Sequence, residues 1–204
     1  TANSAPIPTE RCGTIRQAFP RHDRLANEVR NRMRTGTLIR NETEADAPAI
    51  SDITAAAFST LPISDHTEQF IIARLRVARV LTVSLVAELD GCVVGHIAFS
   101  PVTMSDGTPG WYGLGPVSVL PEYQRQGIGG ALIEEGLLRL KGLGARGCCL
   151  VGHPEYYGRF GFQHTAKLSH EGVPQEAFFV LSFDGGIPQG TVEFHQAFRP
   201  GAGG

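Results

Sequence analysis

The chain has 204 residues, of which 42% are hydrophobic and 19% are charged, with a formal net charge of -2 at pH 7. This length and composition predict a soluble globular protein built around one sizeable core. The small negative charge excludes a global positive field, which argues against a nucleic-acid partner. No run of about 18 apolar residues occurs, so no membrane-spanning helix is expected.

The spacing of cysteine and histidine predicts neither a disulfide framework nor a metal site. The four cysteines show no C-x-x-C spacing and are Cys12, Cys92, Cys148 and Cys149. Buried free thiols in a reducing cytoplasm fit this pattern, and the N-terminal residues lack the apolar segment of a secretory signal. The seven histidines form no H-x-x-x-H pair, so no metal centre is expected.

Residues 1–36 are rich in arginine and poor in hydrophobic side chains. We expect a flexible extension there, or a translation start set upstream of Met33. An organellar transit peptide has a similar composition, and so has an Arg-rich arm that binds nucleic acid. Residues 37–198 are expected to form a single domain, and residues 199–204 a loose tail.

The first predicted element is a strand over TLIRNE, which begins near Thr37. Residues 43–46 then read TEAD, a pattern resembling a capping box that predicts a helix to about residue 58. Residues 65–68 repeat a D-x-x-E helix start. The helix after it is predicted to turn four apolar side chains inward, namely Phe70, Ile71, Leu75 and Val77.

The clearest β pattern is SLVAELDGCVVGHIAFSPV, whose two apolar runs flank Asp90-Gly91 and predict a hairpin. Residues 111–120 predict a strand kinked near Gly113, Gly115 and Pro116. A helix to about residue 141, the buried strand CCLVG and a short helix from residue 154 follow. Residues 178–183 and 191–195 supply two last strands. These elements predict a mixed α/β domain.

The stretch PEYQRQGIGGALI, residues 121–133, joins a turn to the start of a helix. That helix has an apolar stripe for packing on a sheet, but packing does not explain Gly127, Gly129 and Gly130. Glycine at a helix start lets the backbone approach a ligand, and the unpaired N–H groups there favour a phosphate. Arg125 adds a positive charge. The pattern predicts an anion-binding site.

Two common phosphate-binding motifs fail on these residues. Gly130-Ala131 follow Gly129 where a nucleoside-triphosphate loop has Lys-Ser/Thr, and Leu132 stands where a dinucleotide loop has glycine or alanine. The stretch VSVLPEYQRQGIGGALI instead resembles the acetyl-CoA-binding motif of the GNAT superfamily of N-acetyltransferases. Residues 124–129 fit every fixed position of its Q/R-x-x-G-x-G/A pattern, between a strand and a helix. PEYYGRFGF, residues 154–162, resembles the F-Y-x-x-x-G-F segment of the same family. SLVAELDG, GHIAFSPV and GTVEFHQAF resemble a bacterial branch of predicted acetyltransferases.

The resemblance implies the GNAT fold over about residues 37–198, with a central mixed, mostly antiparallel sheet of about six or seven strands flanked by about four helices. Gln124 would begin a turn whose backbone amides hold the pyrophosphate of acetyl-CoA. Those amides belong to Arg125, Gln126, Gly127, Ile128, Gly129 and Gly130. The pantetheine arm would pair with the backbone of Val117 and Val119, and the N–H of Val119 would face the thioester oxygen.

Tyr157 occupies the tyrosine position of F-Y-x-x-x-G-F, which implies a general acid that protonates the departing coenzyme A thiolate. A phenol keeps its proton at neutral pH and can donate it to a thiolate. The alternative is that Tyr156 and Tyr157 only pack beside Phe160 and Phe162.

The residue that accepts the proton of the amine stays open at this point. The candidates are Glu88, His96, Glu122, His153 and the stretch 65–68. In the family the first two helices often border the acceptor, so His66 and Glu68 are expected near it. The implied reaction is direct transfer of acetyl from acetyl-CoA to an amine of a small molecule or protein, with no nucleic-acid or membrane partner. A non-catalytic coenzyme A-binding module is the alternative, and homodimerisation, common in the family, is left open.

Overall fold

The structure, a computed structural model, describes residues 36–59 and 66–199. The Arg-rich stretch before residue 36, Asp65 and the tail from residue 200 lie outside the described residues. Within the described ranges the strands are β1 (Thr37–Asn41), β2 (Val83–Leu89), β3 (Cys92–Pro101), β4 (Thr103–Met104), β5 (Trp111–Val119), β6 (Gly147–Val151), β7 (Leu168–His170), β8 (Phe178–Ser182) and β9 (Gly190–Glu193). The α-helices there are α1 (Ala47–Phe58), α2 (Glu68–Val77), α3 (Ile128–Gly142) and α4 (Pro154–Tyr157).

The strands form a main sheet and a smaller one. The main sheet has the order β1-β2-β3-β5-β6-β8, and its only parallel pair among the described strands is β5 with β6. This confirms the mixed, mostly antiparallel sheet that the sequence predicts. β9 covers most of the predicted strand 191–195, but it pairs with β4 and β7 in the smaller sheet.

The hairpin and the kinked strand both lie where the sequence predicts them. β2 and β3 are joined by Asp90 and Gly91, whose φ angles of 50° and 79° are the two positive values that a type I′ turn requires. The register between β3 and β5 shifts between Ile97 and Phe99, opposite Gly115-Pro116. The kink therefore takes the form of a β-bulge.

Helices cover both faces of the main sheet. On one face, α3 buries Leu132, Ile133 and Leu140 completely. Gly136 allows α3 to approach the sheet closely, because a Cβ there would lie 2.2 Å from Cε2 of Phe99. On the other face, α1 and α2 pack on β3 and β5, with Ile50 of α1 in a small apolar cluster.

The prediction for α2 is wrong in part. The helix begins at Glu68 with Thr67 as its N-cap residue, whereas the sequence pattern predicts a start at residue 65. Leu75 is buried as predicted, but Phe70 is 53% exposed and Val77 is 85% exposed. Ile72, which the sequence analysis passed over, is 1% exposed. The face of α2 toward the sheet is set by Ile72 and Leu75, three residues apart, and Phe70 and Val77 share a different face.

The smaller sheet closes the C-terminal part of the domain. Trp111, Phe178 and Phe194 belong to its apolar cluster. The guanidinium of Arg74 in α2 donates to the carbonyl oxygen of Ala197 at 3.0 Å, which ties this region to the helical layer. No helix within the described ranges is long and apolar enough to cross a membrane.

Candidate active site

The main sheet is open between β5 and β6. The two strands pair only from Trp111 to Gly113 on β5, opposite Gly147 to Cys149 on β6. Beyond Gly113, β6 continues along β8 alone, while β5 continues along β3 alone. The last residues of β5 therefore present one backbone edge that none of the described strands covers.

The residues that face this open edge follow from the hydrogen-bond pattern of β3 and β5. The N–H of Leu120 donates to the carbonyl of Val94 at 3.0 Å, and Gly95 lies opposite Val119. Because bonded and non-bonded pairs alternate in an antiparallel ladder, the backbone groups of Val117 and Val119 point away from β3. Both residues named by the sequence thus direct their N–H groups to the open edge. The carbonyl of Val119 accepts from Nε2 of Gln124 at 3.0 Å.

A turn with unpaired backbone donors follows this edge directly. Arg125 has a φ of 58° and Gly127 a φ of 92°, so both adopt left-handed conformations before α3 begins. The first bond of the helix runs from Ala131 N–H to the carbonyl of Gly127. Within the described residues, none of the six N–H groups of residues 125–130 has a hydrogen-bond acceptor. Such a run of donors at a helix N-terminus attracts an anion.

The segment that contains α4 lies against the same turn. A Cβ added at Gly129 would lie 3.0 Å from the hydroxyl oxygen of Tyr156, and one at Gly130 would lie 3.6 Å from Phe160. The guanidinium carbon of Arg159 stands 4.1 Å from the ring centroid of Tyr156 and 4.8 Å from that of Phe160. Its Nη2 would come within 3.9 Å of a Cβ on Gly130. Arg159 is therefore a second cation, beside Arg125, next to the free N–H groups.

Tyr157 lies against the end of β6. A Cβ on Gly152 would lie 2.2 Å from its Cε2 atom, and its ring meets those of Tyr156 and Phe162 edge-on. The ring packing of Tyr157, which the sequence left open as an alternative to an acid role, is thus present. It does not exclude an acid role, because edge-on contacts of the ring do not use the hydroxyl proton. Burial raises the pKa of Tyr157 to about 12, so the phenol is protonated at neutral pH.

The candidates for a proton acceptor differ in burial and in their bonding partners. Glu88 pairs with Nε of Arg40 at 2.8 Å, and Glu122 and His153 are exposed beside the turn and before α4. His66 is exposed at the entry to α2. His96 alone among the named candidates within the described residues is fully buried, in the layer between β3 and the helices α1 and α2.

Sequence reasoning missed three features of the site. It singled out neither Arg159 nor the contact of Tyr156 with the glycine turn, since both depend on how two segments distant in sequence meet. It also assigned Gln124 only as the first residue of the turn, whereas its side chain binds Val119. An arginine three residues after a tyrosine in a short helix was the available signal for the stack of Arg159 on Tyr156.

Comparisons with known proteins agree with this geometry. A family model described as an acetyltransferase (GNAT) domain matches residues 81–164. The N-acetyltransferase YhbS of Escherichia coli K12 is 35% identical over 171 residues, which cover 79% of this chain and 98% of the relative. Together they place the chain in a class: it belongs to the GNAT family of acetyltransferases.

Solved structures extend the comparison to particular relatives. A GNAT acetyltransferase from Brucella melitensis, determined in complex with acetyl-CoA, is 50% identical. Its TM-score is 0.72, and the match covers 80% of this chain and 98% of that one. The structure of YhbS from Escherichia coli, in complex with CoA, is 34% identical with a TM-score of 0.72, and the match covers 79% and 91% of the two chains.

Proposed function

We propose that this protein transfers the acetyl group of acetyl-CoA to a primary amine, by direct attack of the amine within a ternary complex. One observation carries the proposal: the edge of β5 that no described strand covers is followed, after a short turn, by the N–H groups of residues 125–130, which have no acceptor among the described residues. An extended chain that ends in a diphosphate fits such an arrangement, because it can bond as a strand and then be neutralised at a helix start.

In this proposal the backbone binds the acyl donor. The pantetheine arm lies along β5 and bonds to Val117 and Val119, while the pyrophosphate accepts from the N–H groups of residues 125–130. The side chain of Gln124 donates a hydrogen bond to the carbonyl of Val119, so this carbonyl does not compete with the pyrophosphate for the N–H groups of the turn. The complexes of two relatives with acetyl-CoA and CoA support this assignment of the ligand.

The chemistry follows from the groups at the opening. The amine nitrogen attacks the thioester carbon, and the N–H of Val119 stabilises the charge on the oxygen. The C–S bond then breaks, and Tyr157 gives its proton to the coenzyme A thiolate. Water restores the phenol. The high pKa of Tyr157 keeps the acid form present throughout the neutral range.

The domain that performs this reaction is residues 37–198, and we infer a reducing compartment such as the cytoplasm. The inference about the compartment rests on the thiols of Cys148 and Cys149, which are fully buried on β6 and form no disulfide. Cys12 lies outside the described residues.

Release of free thiol from acetyl-CoA tests the function. The purified protein is incubated with polyamines, amino acids, amine drugs, and peptides with a free N-terminus or a lysine. We expect at least one amine to accelerate thiol release well above the rate with acetyl-CoA alone, and mass spectrometry to find that amine acetylated. Tight binding of acetyl-CoA without acceleration by any amine would instead support a coenzyme A-binding module.

A further inference from the structure

A buried polar cluster lies on the α1–α2 face of the sheet, outside the donor site. His96 on β3 is 0% exposed, and its Nε2 lies 2.8 Å from Oγ of Ser84 on β2. Ser84 Oγ donates to Oε2 of Glu42 at 2.6 Å. Arg76 of α2 holds the same carboxylate with two hydrogen bonds of 2.9 Å.

These bonds fix the tautomer of His96. A serine hydroxyl has one hydrogen, and that of Ser84 is directed to Glu42. Ser84 must therefore accept from His96, so that Nε2 carries the ring hydrogen and Nδ1 carries an unshared electron pair. This is the arrangement in which a carboxylate orients an imidazole and stabilises its protonated form.

The unshared pair of His96 has no partner. Nδ1 is buried and makes no hydrogen bond within the described residues. A buried polar atom without a partner destabilises the folded state, so its presence calls for an explanation. A nitrogen that must accept a proton during the reaction is such an explanation.

The place of His96 connects it to the reaction. Its Cα partner on the next strand is Ser118, which lies between Val117 and Val119 of the proposed donor site. The Ser118 hydroxyl is buried and lies 3.1 Å from Oγ1 of Thr54 on α1. Adjacent strands lie about 4.8 Å apart, so Ser118 stands between His96 and the open edge of β5, on the face that α1 covers.

We propose that His96 is the terminal acceptor of the proton that the attacking amine loses, reached through the hydroxyl of Ser118, and that Glu42 is its positioning residue. The inference rests on the proposed function. The proton leaves the amine nitrogen as the C–N bond forms, and the Ser118 hydroxyl turns from Thr54 toward Nδ1 to pass it on. His96 then becomes an imidazolium whose Nε2–H still faces Ser84 and Glu42. The imidazolium then loses that proton to solvent before the next turnover.

The charges around His96 suit this role. Glu42 and Arg76 are the charged groups that act on it, and burial lowers its pKa below the ordinary 6.5 despite the attraction of Glu42. The imidazole is therefore neutral at neutral pH and can accept a proton. The hydrogen bonds from His96, Arg76 and Ser84 outweigh the burial of Glu42 and lower its pKa to about 2, so the carboxylate is charged whenever the enzyme works.

A matched pair of variants separates the proton acceptor from a structural role. In His96→Gln, the amide nitrogen replaces Nε2 and keeps the bond to Ser84, but the basic nitrogen is gone. His96→Asn places its amide at the Nδ1 position and loses the bond to Ser84. We expect His96→Gln to lower kcat/KM for the best amine of the panel by about 10²-fold or more, with acetyl-CoA affinity within about twofold of wild type. A structural role predicts that His96→Gln is nearly as active as wild type and that only His96→Asn is unstable.

The pH profile gives a second readout that a structural role would not move. The ratio of wild-type to His96→Gln activity should fall toward one as the pH drops through a value below 6.5, where His96 becomes protonated. The amine substrate titrates equally in both proteins and cancels in this ratio. A ratio that does not depend on pH would overturn the inference.

Failure of the inference differs from failure of the proposed function. If the wild-type protein and His96→Gln are equally active, the role of His96 is overturned and the proposed acetyltransferase function still stands. If no amine releases thiol, nitrogen-15 NMR of the wild-type protein determines the tautomer and the protonation state of His96. Nε2-protonated neutral His96 at pH 7 supports the base assignment, whereas an Nδ1-protonated ring or an imidazolium at that pH overturns it.

Discussion

Replacing Gly129 with valine tests whether the turn binds the pyrophosphate. A Cβ at this position would lie 3.0 Å from the Tyr156 hydroxyl and 3.7 Å from Cγ2 of Val119, in the crevice between the turn and the open edge of β5. The tyrosine tip must shift by a few tenths of an ångström. We expect a loss of about 1 kcal/mol in the free energy of unfolding, which lowers Tm by about 2–4 °C.

The expected effect of Gly129→Val on binding is much larger than its effect on stability. The valine methyl groups would hold a phosphate away from the N–H groups of Gly129 and Gly130. Two hydrogen bonds to a charged acceptor at about 1.5 kcal/mol each amount to about 3 kcal/mol, or about 10²-fold in Kd. Isothermal titration with acetyl-CoA measures this loss directly.

Gly142→Val is the matched control for that experiment. It makes the same replacement at the other end of α3, where a Cβ would meet nothing within 4 Å. We expect acetyl-CoA affinity to be unchanged there. A Gly129→Val protein that folds and binds acetyl-CoA within about threefold of wild type would refute the assignment of the turn.

Four further predictions address other parts of the molecule. Gly136→Ala should lower the free energy of unfolding by about 1–3 kcal/mol in a denaturant titration, because its Cβ would lie 2.2 Å from Phe99; unchanged stability would contradict the close packing of α3. Tyr157→Phe should slow thiol release by about 10²-fold while titration finds acetyl-CoA affinity unchanged; equal turnover would remove the acid assignment. Arg159→Gln should weaken acetyl-CoA binding by about tenfold and leave acetyl-pantetheine, which has no phosphate, unaffected; equal losses for both ligands would indicate a structural role. The pKa of Glu42 is lowered to about 2 from 4.5 in the unfolded chain. The carboxylate therefore adds stability that is present above pH 4.5 and lost as the pH falls toward 2. Glu42→Gln should flatten that part of the curve of unfolding free energy against pH, and an unaltered slope would contradict the role of Glu42 in stability.

The features that the sequence predicts well are those whose causes are local. Asp90-Gly91 predicts its own turn, because two adjacent residues with positive φ suit a type I′ hairpin. Gly127 likewise marks the start of α3, since its left-handed conformation and the following apolar stripe lie within a few residues of each other. The donor half of the proposed site is backbone on such local elements, so its position is a prediction that residues 117–130 make by themselves.

The features that the sequence does not predict arise from contacts between distant segments. The apolar residues of α2 allow more than one inward face, and the actual face depends on where α1 and the C-terminal segment pack. Arg74 shows this, because its bond to Ala197 joins residues 123 apart in the chain. The stack of Arg159 beside Gly130 depends in the same way on the approach of α4 to α3.

The two halves of the proposed reaction therefore differ in how they respond to substitution. The donor is bound by N–H groups, which every residue except proline supplies, so most side-chain changes at Val117 or Gln126 should be tolerated unless added bulk blocks the cofactor. The acceptor half depends on one electron pair of His96, whose orientation is set by a hydroxyl and a carboxylate 42 residues apart in sequence. Removing that carboxylate leaves Ser84 free to turn its hydrogen toward the ring and releases the other tautomer. Glu42→Ala, which leaves no acceptor for Ser84 at this position, should thus impair amine transfer without impairing acetyl-CoA binding.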